Sequence, residues 1–455
     1  MLRLVGPQAE CLFDVGLPVE VRELPEDLAA LDVLLDDATL FAPIWEAWSV
    51  SARGDGRPSI PMDRFVRLMV IKTRTGWGYE TLVREVSDSI HLRRFCRIAL
   101  SARVPDESTV RKLTRRLGAE VVDEITRAVI DKATRERRFV GRAVRIDSTV
   151  VESDIRYPSD AALAADATRV PAREARKVTR LAGKAACGVR DRSRSAARKL
   201  RAIGRTVARR TGQAKTIVLR LTAEAGELVD RSVREARKLA RQLRDRARGP
   251  GARAKRRAAD RLDELADLAA KIARQITQRL AGQRITDRLV SLSDPDARPI
   301  RKGKLRAPTE FGFVFQLAEI TENTRRGTRG FLLPAPTKVG SPNEPDLLPD
   351  TATELRRAGL NPHDVALDGG FQPGPVAEQL PDATKVFISG RQSTGSTHTD
   401  RRLARYRVGA EGRISHLKRG YGMRRTRLRG IDGARTTVGW SILTYNLDTL
   451  AIRAT

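Results

Sequence analysis

Residues 161–283 contain no aromatic side chain, and this long stretch limits what the chain can fold into. Alanine, arginine, leucine and lysine dominate it, and its larger aliphatic residues recur at intervals close to three and four. That spacing predicts long amphipathic helices, with a break at Gly249-Pro250-Gly251. Residues 171–250 hold 24 basic and 7 acidic side chains. We therefore expect a basic helical hairpin or a small helical bundle.

Several roles fit such a basic helical segment. Its charge favours contact with a phosphate backbone without sequence readout. A solvated helical spacer or a coiled-coil dimerisation arm has the same residue pattern. Strand-like segments resume after it, beginning with residues 288–292, so we interpret residues 161–283 as an insertion into another domain. Further along, a helix is predicted at residues 351–358.

The charge of the whole chain points to a polyanionic partner. Lysine and arginine total 86 against 56 aspartate and glutamate, which leaves a net charge of +30 on 455 residues. A field of this sign attracts nucleic acid. The chain has no long apolar run and no basic leader before an apolar segment, so we expect no membrane partner and a cytoplasmic location. Its three cysteines and four histidines are scattered, so metal chemistry would depend on carboxylates.

The N-terminal part of the chain, residues 1–138, is predicted to be helical. Residues 41–117 show helical spacing interrupted by turn signals, and Asp106 or Ser108 can cap a helix at Val110–Leu117. This last helix is basic, with Arg111, Lys112, Arg115 and Arg116. A helix-turn-helix DNA reader has this pattern, and so does a helical bundle whose charged face is solvated.

Two apolar segments carry an acid where a strand would bury it. Residues 139–151 are rich in β-branched residues and predict a strand with Asp147 in its middle. Residues 363–371 predict a short strand that ends in Asp368 and two glycines, and ligands of open α/β sheets sit at such strand ends. The alternatives are an edge-strand acid facing water at Asp147 and an Asp-Gly turn at Asp368.

A third acid is part of a helical stripe near the C-terminus. Arg407, Glu411 and Lys418 are four and seven residues apart, which places one carboxylate between two cations on one helix face. A solvent-facing row of ion pairs has the same spacing. If the sheet brings Glu411 to Asp147 and Asp368, the three acids form an oxygen-only site that suits Mg²⁺ or Mn²⁺. Two such ions can promote phosphodiester hydrolysis and transfer.

These motifs together resemble the bacterial insertion-sequence transposases of the DDE class. Asp147 and Asp368 resemble the first and second acids of that class, and Arg407-x3-Glu411-x6-Lys418 resembles its signature helix. Residues 56–109 resemble the helical N-terminal domain of such enzymes, and residues 439–446 resemble their closing helix.

The chain departs from the pattern of this class at two positions. Related signatures often place a tyrosine three residues before the arginine, where this chain has Ala404, and its own tyrosine is Tyr406. The second acid is often followed by arginine, which Gly369 replaces. Neither departure affects the three acids.

The resemblance implies a multidomain α plus α/β protein. Its parts would be a helical DNA-binding domain (1–138), a ribonuclease-H-like mixed-sheet catalytic domain in two pieces (139–160 and 284–455), and the basic helical insertion (161–283) between those pieces.

The resemblance also implies an activity and its residues. Asp147, Asp368 and Glu411 would be the catalytic residues and the ligands of two Mg²⁺ or Mn²⁺ ions. Transposon-end or target phosphates would be bound by Arg407 and Lys418, and the N-terminal cations would also contact DNA. The reaction would be cleavage at element ends and strand transfer into target DNA. The partners would be double-stranded DNA and, in the synaptic complex, at least a second copy of the chain at the bacterial nucleoid.

Two other functions fit the same residues. A DNA-binding regulator derived from a transposase would have the same basic charge and helical domain. A ribonuclease-H-like nuclease would cut DNA without joining it.

Overall fold

A computed structural model describes residues 4–6, 16–49, 59–183, 187–208, 212–249, 251–301, 309–391 and 396–454. The chain divides into two compact units. The first combines Met1–Glu152 with Phe313–Thr455, and the second is Ser153–Gly312. Residues 56–58 of the N-terminal motif and Pro250 of the predicted helix break lie outside the described residues. No helix in these ranges is both long and apolar enough to cross a bilayer.

The first unit begins with a series of helices. They are α1 Val19–Arg22, α2 Glu26–Leu34, the 3-10 helix η1 Ala38–Phe41, α3 Ala42–Ser49, α4 Met62–Thr75, α5 Tyr79–Asp88, α6 Ile90–Phe95 and α7 Glu107–Arg135. α4 ends at Gly76, whose φ of +70° lies in the left-handed region that favours glycine. The prediction of a helical N-terminal region is confirmed.

Helix α7 contains the predicted segment Val110–Leu117 but is interrupted directly after it. Gly118 has φ +71° and ψ −169°, which are not helical angles. The first half of α7 carries the four basic residues noted in the sequence. The second half buries Val122, Ile125 and Val129. The two halves therefore differ in what they expose and in what they pack against.

A mixed sheet follows. The strands along the chain are β1 Ala143–Ser153, β2 Arg298–Arg301, β3 Thr309–Thr321, β4 Phe331–Leu332, β5 Asp364–Leu367, β6 Lys385–Ile388 and β7 Arg425–Thr426. In the first unit the spatial order is β3-β1-β5-β6, with β4 paired to β3 and β7 paired to β1. β5 is parallel to both β1 and β6, whereas β4 is antiparallel to β3.

The second unit is mainly helical. Its helices are α8 Asp160–Ala182, α9 Ser193–Ala208, α10 Ala214–Asp245 and α11 Ala252–Leu280. Its core consists of aliphatic side chains, such as Leu163, Val229, Leu239, Leu262 and Ile272. β2 pairs antiparallel with the first residues of β3. The role of residues 161–283 as an insertion stays a prediction.

Four further helices complete the first unit. They are α12 Glu344–Arg357, α13 Pro373–Gln379, α14 Thr397–Gly420 and α15 Gly430–Ala454. α15 packs against α7, α4 and α2. Its Trp440 meets Phe65 of α4 edge to face, with ring centroids 5.8 Å apart. One hydrophobic core contains both the N-terminal helices and the sheet.

One local prediction is wrong, and another is right except for where the helix begins. Residues 288–292 were expected to form a strand, but they form none. Instead Leu289 is buried beside α11. The Gln275 side-chain amide accepts from the Leu289 backbone N–H at 2.5 Å and donates to the Leu289 backbone C=O at 3.2 Å. The helix expected at residues 351–358 begins earlier, at Glu344. Pro345 can occupy its first turn because no intrahelical N–H bond is needed there.

Candidate active site

Asp147 and Asp368 come together because β1 and β5 are parallel neighbours. The register pairs Arg145 of β1 with Ala366 of β5. Two residues further along, each strand presents its aspartate, and Asp368 directly follows the last residue of β5. Parallel strands therefore bring both acids to the same edge of the sheet.

A third carboxylate, Glu344, lies at the same place. One oxygen from each of Asp147, Glu344 and Asp368 lies within 4.8 Å of the others. The Asp147 residue is buried, with 8 % of its surface exposed, whereas Glu344 and Asp368 are half-buried. A Cβ atom at Gly370 would be 2.9 Å from Oε2 of Glu344, so the glycine after Asp368-Gly369 leaves room for this carboxylate. We call these three acids the carboxylate cluster.

The sheet anchors Glu344 through Gln316 of β3. The buried Gln316 side chain donates from Nε2 to the carbonyl of Glu344 at 2.8 Å and accepts from the Thr351 hydroxyl at 2.6 Å. Both contacts hold the first two turns of α12 against β3. Sequence reasoning missed Glu344 because it placed the start of this helix too late. The signal was present in Asn343-Glu344-Pro345, where a capping residue precedes a first-turn proline.

Arg407 links Glu411 to Asp368. Its Nη1 donates to Oδ1 of Asp368 at 3.3 Å, and its Nη2 donates to Oε1 of Glu411 at 3.1 Å. The Glu411 side chain is 64 % exposed and is not a member of the carboxylate cluster. Lys418 lies two turns further along α14 and is half-buried. The predicted stripe is thus present on one helix, and its arginine contacts two of the three predicted acids.

A buried ion pair fixes α14 against the sheet. Arg145 of β1 bonds Glu319 of β3 at 2.6 Å and donates to the backbone carbonyl of Tyr406 at 3.1 Å. Arg413 of α14 reaches the same Glu319 at 2.9 Å. A side chain at Gly409 would collide with the Arg145 guanidinium. β1 therefore carries both Asp147 and the arginine that contacts the helix bearing Glu411.

Tyr406 is part of this packing. Its side chain is buried, and its hydroxyl lies 2.7 Å from the hydroxyl of Thr321. Burial raises the pKa of the Tyr406 phenol. The tyrosine of this signature therefore stabilises the fold and does not face outward.

The predicted N-terminal cations divide into two groups. Arg111, Lys112 and Arg115 are exposed on the first half of α7, where Arg111 pairs with Glu107 at 3.2 Å. Arg116 instead lies over the ring of Trp48, with its guanidinium carbon 3.6 Å from the ring centroid. This stacking gives Arg116 a structural contact of its own.

The donors of the carboxylate cluster fit a hard divalent cation. All three are carboxylate oxygens, the ligand type that Mg²⁺ and Mn²⁺ prefer. Three negative charges this close repel one another, and burial of Asp147 increases the cost. A divalent cation would compensate that charge.

The mixed sheet thus carries acids at adjacent parallel strand ends, beside a helix with a further acid, as the predicted resemblance implies. Comparison with protein families agrees. Residues 327–447 match the family described as "Transposase DDE domain", and residues 21–116 match the "Transposase domain (DUF772)". Both matched regions are therefore regions of transposases, and the predicted resemblance to DDE transposases is confirmed. No curated protein and no solved structure matches the chain.

The two matches cover most of the candidate site. Glu344, Asp368, Arg407, Glu411 and Lys418 lie within the DDE match, and the four predicted cations in the first half of α7 lie within the other. Asp147 lies outside both, so its assignment depends on its position beside Asp368.

Proposed function

We propose that this protein cleaves phosphodiesters at transposon ends in a metal-dependent reaction and transfers the freed strands into target DNA. One observation carries the proposal. Asp147 and Asp368 meet at adjacent strand ends, and Arg407 ties Asp368 to Glu411 on a helix inside the DDE match. This is the order of acids that a DDE enzyme requires.

In this proposal Asp147, Asp368 and Glu411 hold two Mg²⁺ or Mn²⁺ ions. Glu344 is an additional ligand because it shares the carboxylate cluster with the two aspartates. Bound divalent ions lower the pKa of an attacking water or hydroxyl and stabilise the leaving oxygen of a phosphodiester. Arg407 and Lys418 add positive charge along α14, where they bind DNA phosphates.

The reaction has two steps. Water forms a bond to the phosphorus at an element end and loses a proton, while the bond to the 3′ oxygen breaks and that oxygen takes up a proton, which leaves a 3′-hydroxyl. That hydroxyl then attacks a target phosphodiester, loses its proton and displaces the 3′ oxygen of the target strand. Two element ends must be held together, which favours a dimer or a larger assembly.

The N-terminal helices and the helices at residues 161–283 also contact DNA in this proposal, because both carry basic side chains. The N-terminal helices bind DNA through the exposed cations of α7. The mixed sheet is the ribonuclease-H-like catalytic domain. The helices at residues 161–283 are an insertion, with 24 basic and 7 acidic residues in its part from 171 to 250, and contact the phosphate backbone.

The test uses the full chain with a duplex that contains an element end. Asp147→Ala and Glu411→Ala should each abolish Mg²⁺-dependent cleavage and leave duplex binding within about twofold. Glu378→Ala removes an exposed acid on α13 and serves as the matched control. Cleavage retained in Asp147→Ala contradicts the site assignment.

A second assay separates the proposal from its alternatives. Wild-type protein should join the cut 3′ end to a target plasmid. Cleavage without joining would identify a nuclease, and binding without cleavage would identify a regulator.

A further inference from the structure

A basic pocket of about 810 Å³ lies in the first unit and shares no lining residue with the carboxylate cluster. Three parts of the chain form it. They are the end of α4 with its turn into α5, the first half of α7, and the segment between α14 and α15. Its volume is in the range of ligand pockets in proteins.

The pocket has a large excess of positive charge. Seven lysine and arginine side chains line it, against two carboxylates, Glu80 and Glu107. Glu107 pairs with Arg111, and Arg425 pairs with Glu152 at 2.9 Å. In the described part of the chain the other five cations form no ion pair: Lys72, Lys112, Arg115, Arg427 and Arg429. Like charges gathered in one concave site are unfavourable unless an anion joins them.

Lys72 lies deepest among these cations. Its ammonium nitrogen lies over the ring of Tyr79, 4.7 Å from the ring centroid, and makes a cation–π contact there. Burial and the neighbouring Arg427 together lower the pKa of Lys72 to about 8. The protein therefore holds this ammonium in a site where its charge is poorly compensated. A bound phosphate would supply the missing negative charge.

We propose that the basic pocket binds the phosphate backbone of the DNA substrate, with Lys72, Lys112 and Arg427 as its phosphate contacts. The proposal rests on the proposed function, because that function makes DNA the substrate. Duplex DNA is favoured over a small anion because the rim cations on α7 and before α15 are exposed, so a long polyanion can reach them. The contacts are to phosphates and carry no base readout.

This assignment joins two distant parts of the sequence in one DNA site. Lys72 and Lys112 belong to the region that matches the N-terminal transposase domain, and Arg427 belongs to the region that matches the DDE domain. DNA held in the pocket contacts both, so one bound duplex is fixed relative to the helix bearing Glu411, which ends shortly before Arg427.

The test measures binding of the full chain to a labelled duplex of arbitrary sequence in EDTA, where no cleavage occurs. Lys72→Met, Lys112→Gln and Arg427→Gln should each reduce the slope of log Kobs against log salt by about 1, because each removes one phosphate contact. Affinity at moderate salt should fall several-fold. Arg135→Gln removes an exposed α7 arginine outside the pocket and should leave the slope unchanged. Slopes equal to wild type in all three pocket variants contradict the proposal.

Footprinting of the wild-type protein avoids any folding defect in the variants. An amine-acylating reagent should modify Lys72 and Lys112 more slowly when duplex is bound, whereas the exposed Lys385 of β6 should react at the same rate. Equal modification of Lys72 with and without duplex rules out the pocket as a DNA site.

Two further arms identify the source of a failure. If wild-type protein binds and cleaves DNA and the pocket variants bind equally well, the pocket is not a DNA site. The proposed function is then unaffected. Wild-type protein that binds no duplex contradicts both. Millimolar inorganic phosphate should not displace the duplex at constant ionic strength. If phosphate displaces the duplex from wild-type protein but not from Lys72→Met, the pocket is a site for a small anion instead.

Discussion

Gly409 of α14 lies so close to the guanidinium of Arg145 that no Cβ atom fits between them. Arg145 precedes Asp147 by two residues on β1, and Gly409 precedes Glu411 by two residues on α14. The contact therefore sets the distance between the strand and the helix that carry two of the proposed catalytic acids.

Gly409→Ala should destabilise the protein and reduce cleavage. The added methyl must push Arg145 away from Glu319 or push α14 away from the sheet, and overpacking of this kind costs roughly 1–3 kcal/mol. Gly412→Ala is the matched control, because nothing lies within 4 Å of a Cβ there and alanine favours a helix by roughly 0.5–1 kcal/mol. Urea denaturation should give opposite signs for the two variants. A Gly409→Ala protein as stable as Gly412→Ala would show that the contact is loose.

Glu344→Gln should raise the Mg²⁺ concentration needed for half-maximal cleavage. The amide keeps the shape of the side chain but removes one of three negative charges in the carboxylate cluster, so we expect a loss of metal affinity of roughly 10–100-fold, as for supporting residues of other metal sites. Isothermal titration with Mn²⁺ measures the same change without turnover. Glu378→Gln should titrate like wild type. An unchanged Mn²⁺ affinity in Glu344→Gln would restrict the ligands to the predicted acids.

The stability of the first unit should depend on pH through Asp123. Burial raises the pKa of this carboxyl to about 7, against the nearby charges of Arg127 and Arg435. Between pH 4 and 7 the folded state therefore holds a proton that the unfolded state has lost, so the free energy of unfolding falls as pH rises through this range. Asp123→Asn cannot lose a proton.

The variant should thus gain stability relative to wild type as pH rises from 4 to 7, by an amount on the order of 4 kcal/mol. Denaturation at several pH values measures this difference directly. A constant difference between the two proteins would mean that Asp123 ionises in the folded state as it does in water.

DNA binding should weaken as pH rises through 8. A phosphate favours the protonated form of Lys72, whose pKa is about 8 in the free protein, so binding above that pH requires proton uptake. The other charged or titratable groups that line the pocket are Tyr79, Glu80, Glu107, Arg111, Lys112, Arg115, Tyr421, Arg425, Arg427 and Arg429. Burial raises the pKa of the Tyr79 phenol, which keeps it neutral in this range.

Between pH 8 and 9 the affinity should fall several-fold for wild type. Lys72→Arg stays charged and should show a nearly flat profile. Fluorescence anisotropy at fixed ionic strength gives both curves. Parallel curves for the two proteins would exclude Lys72 as the titrating contact.

Local residue patterns predicted the positions of Asp147 and Asp368 well. Each lies in or directly after an apolar, β-branched segment, and such segments form strands wherever a core is available. The parallel pairing that joins them depends on residues more than two hundred positions apart. Only the order of motifs, through the family resemblance, pointed to that pairing.

The errors came from residues whose partners are distant in sequence. Residues 288–292 contain three aliphatic residues, as a short strand would, but Gln275 takes the backbone hydrogen bonds that a neighbouring strand would have taken. Prolines 345 and 349 made the start of α12 resemble a loop, so Glu344 was not considered. Its place depends on Gln316 and Gly370, which no short-range pattern connects to it.

The break at Gly118 separates two tasks along one stretch of chain. A residue with φ +71° and an extended ψ cannot transmit helical register, so the basic half of α7 and the half packed on α15 are independent helices end to end. On the proposed function, the exposed Arg111, Lys112 and Arg115 can diverge toward new DNA ends while the core around Val122 and Trp440 stays unchanged. A transposon whose transposase is built in this way can change the DNA ends that it uses while the catalytic site stays the same.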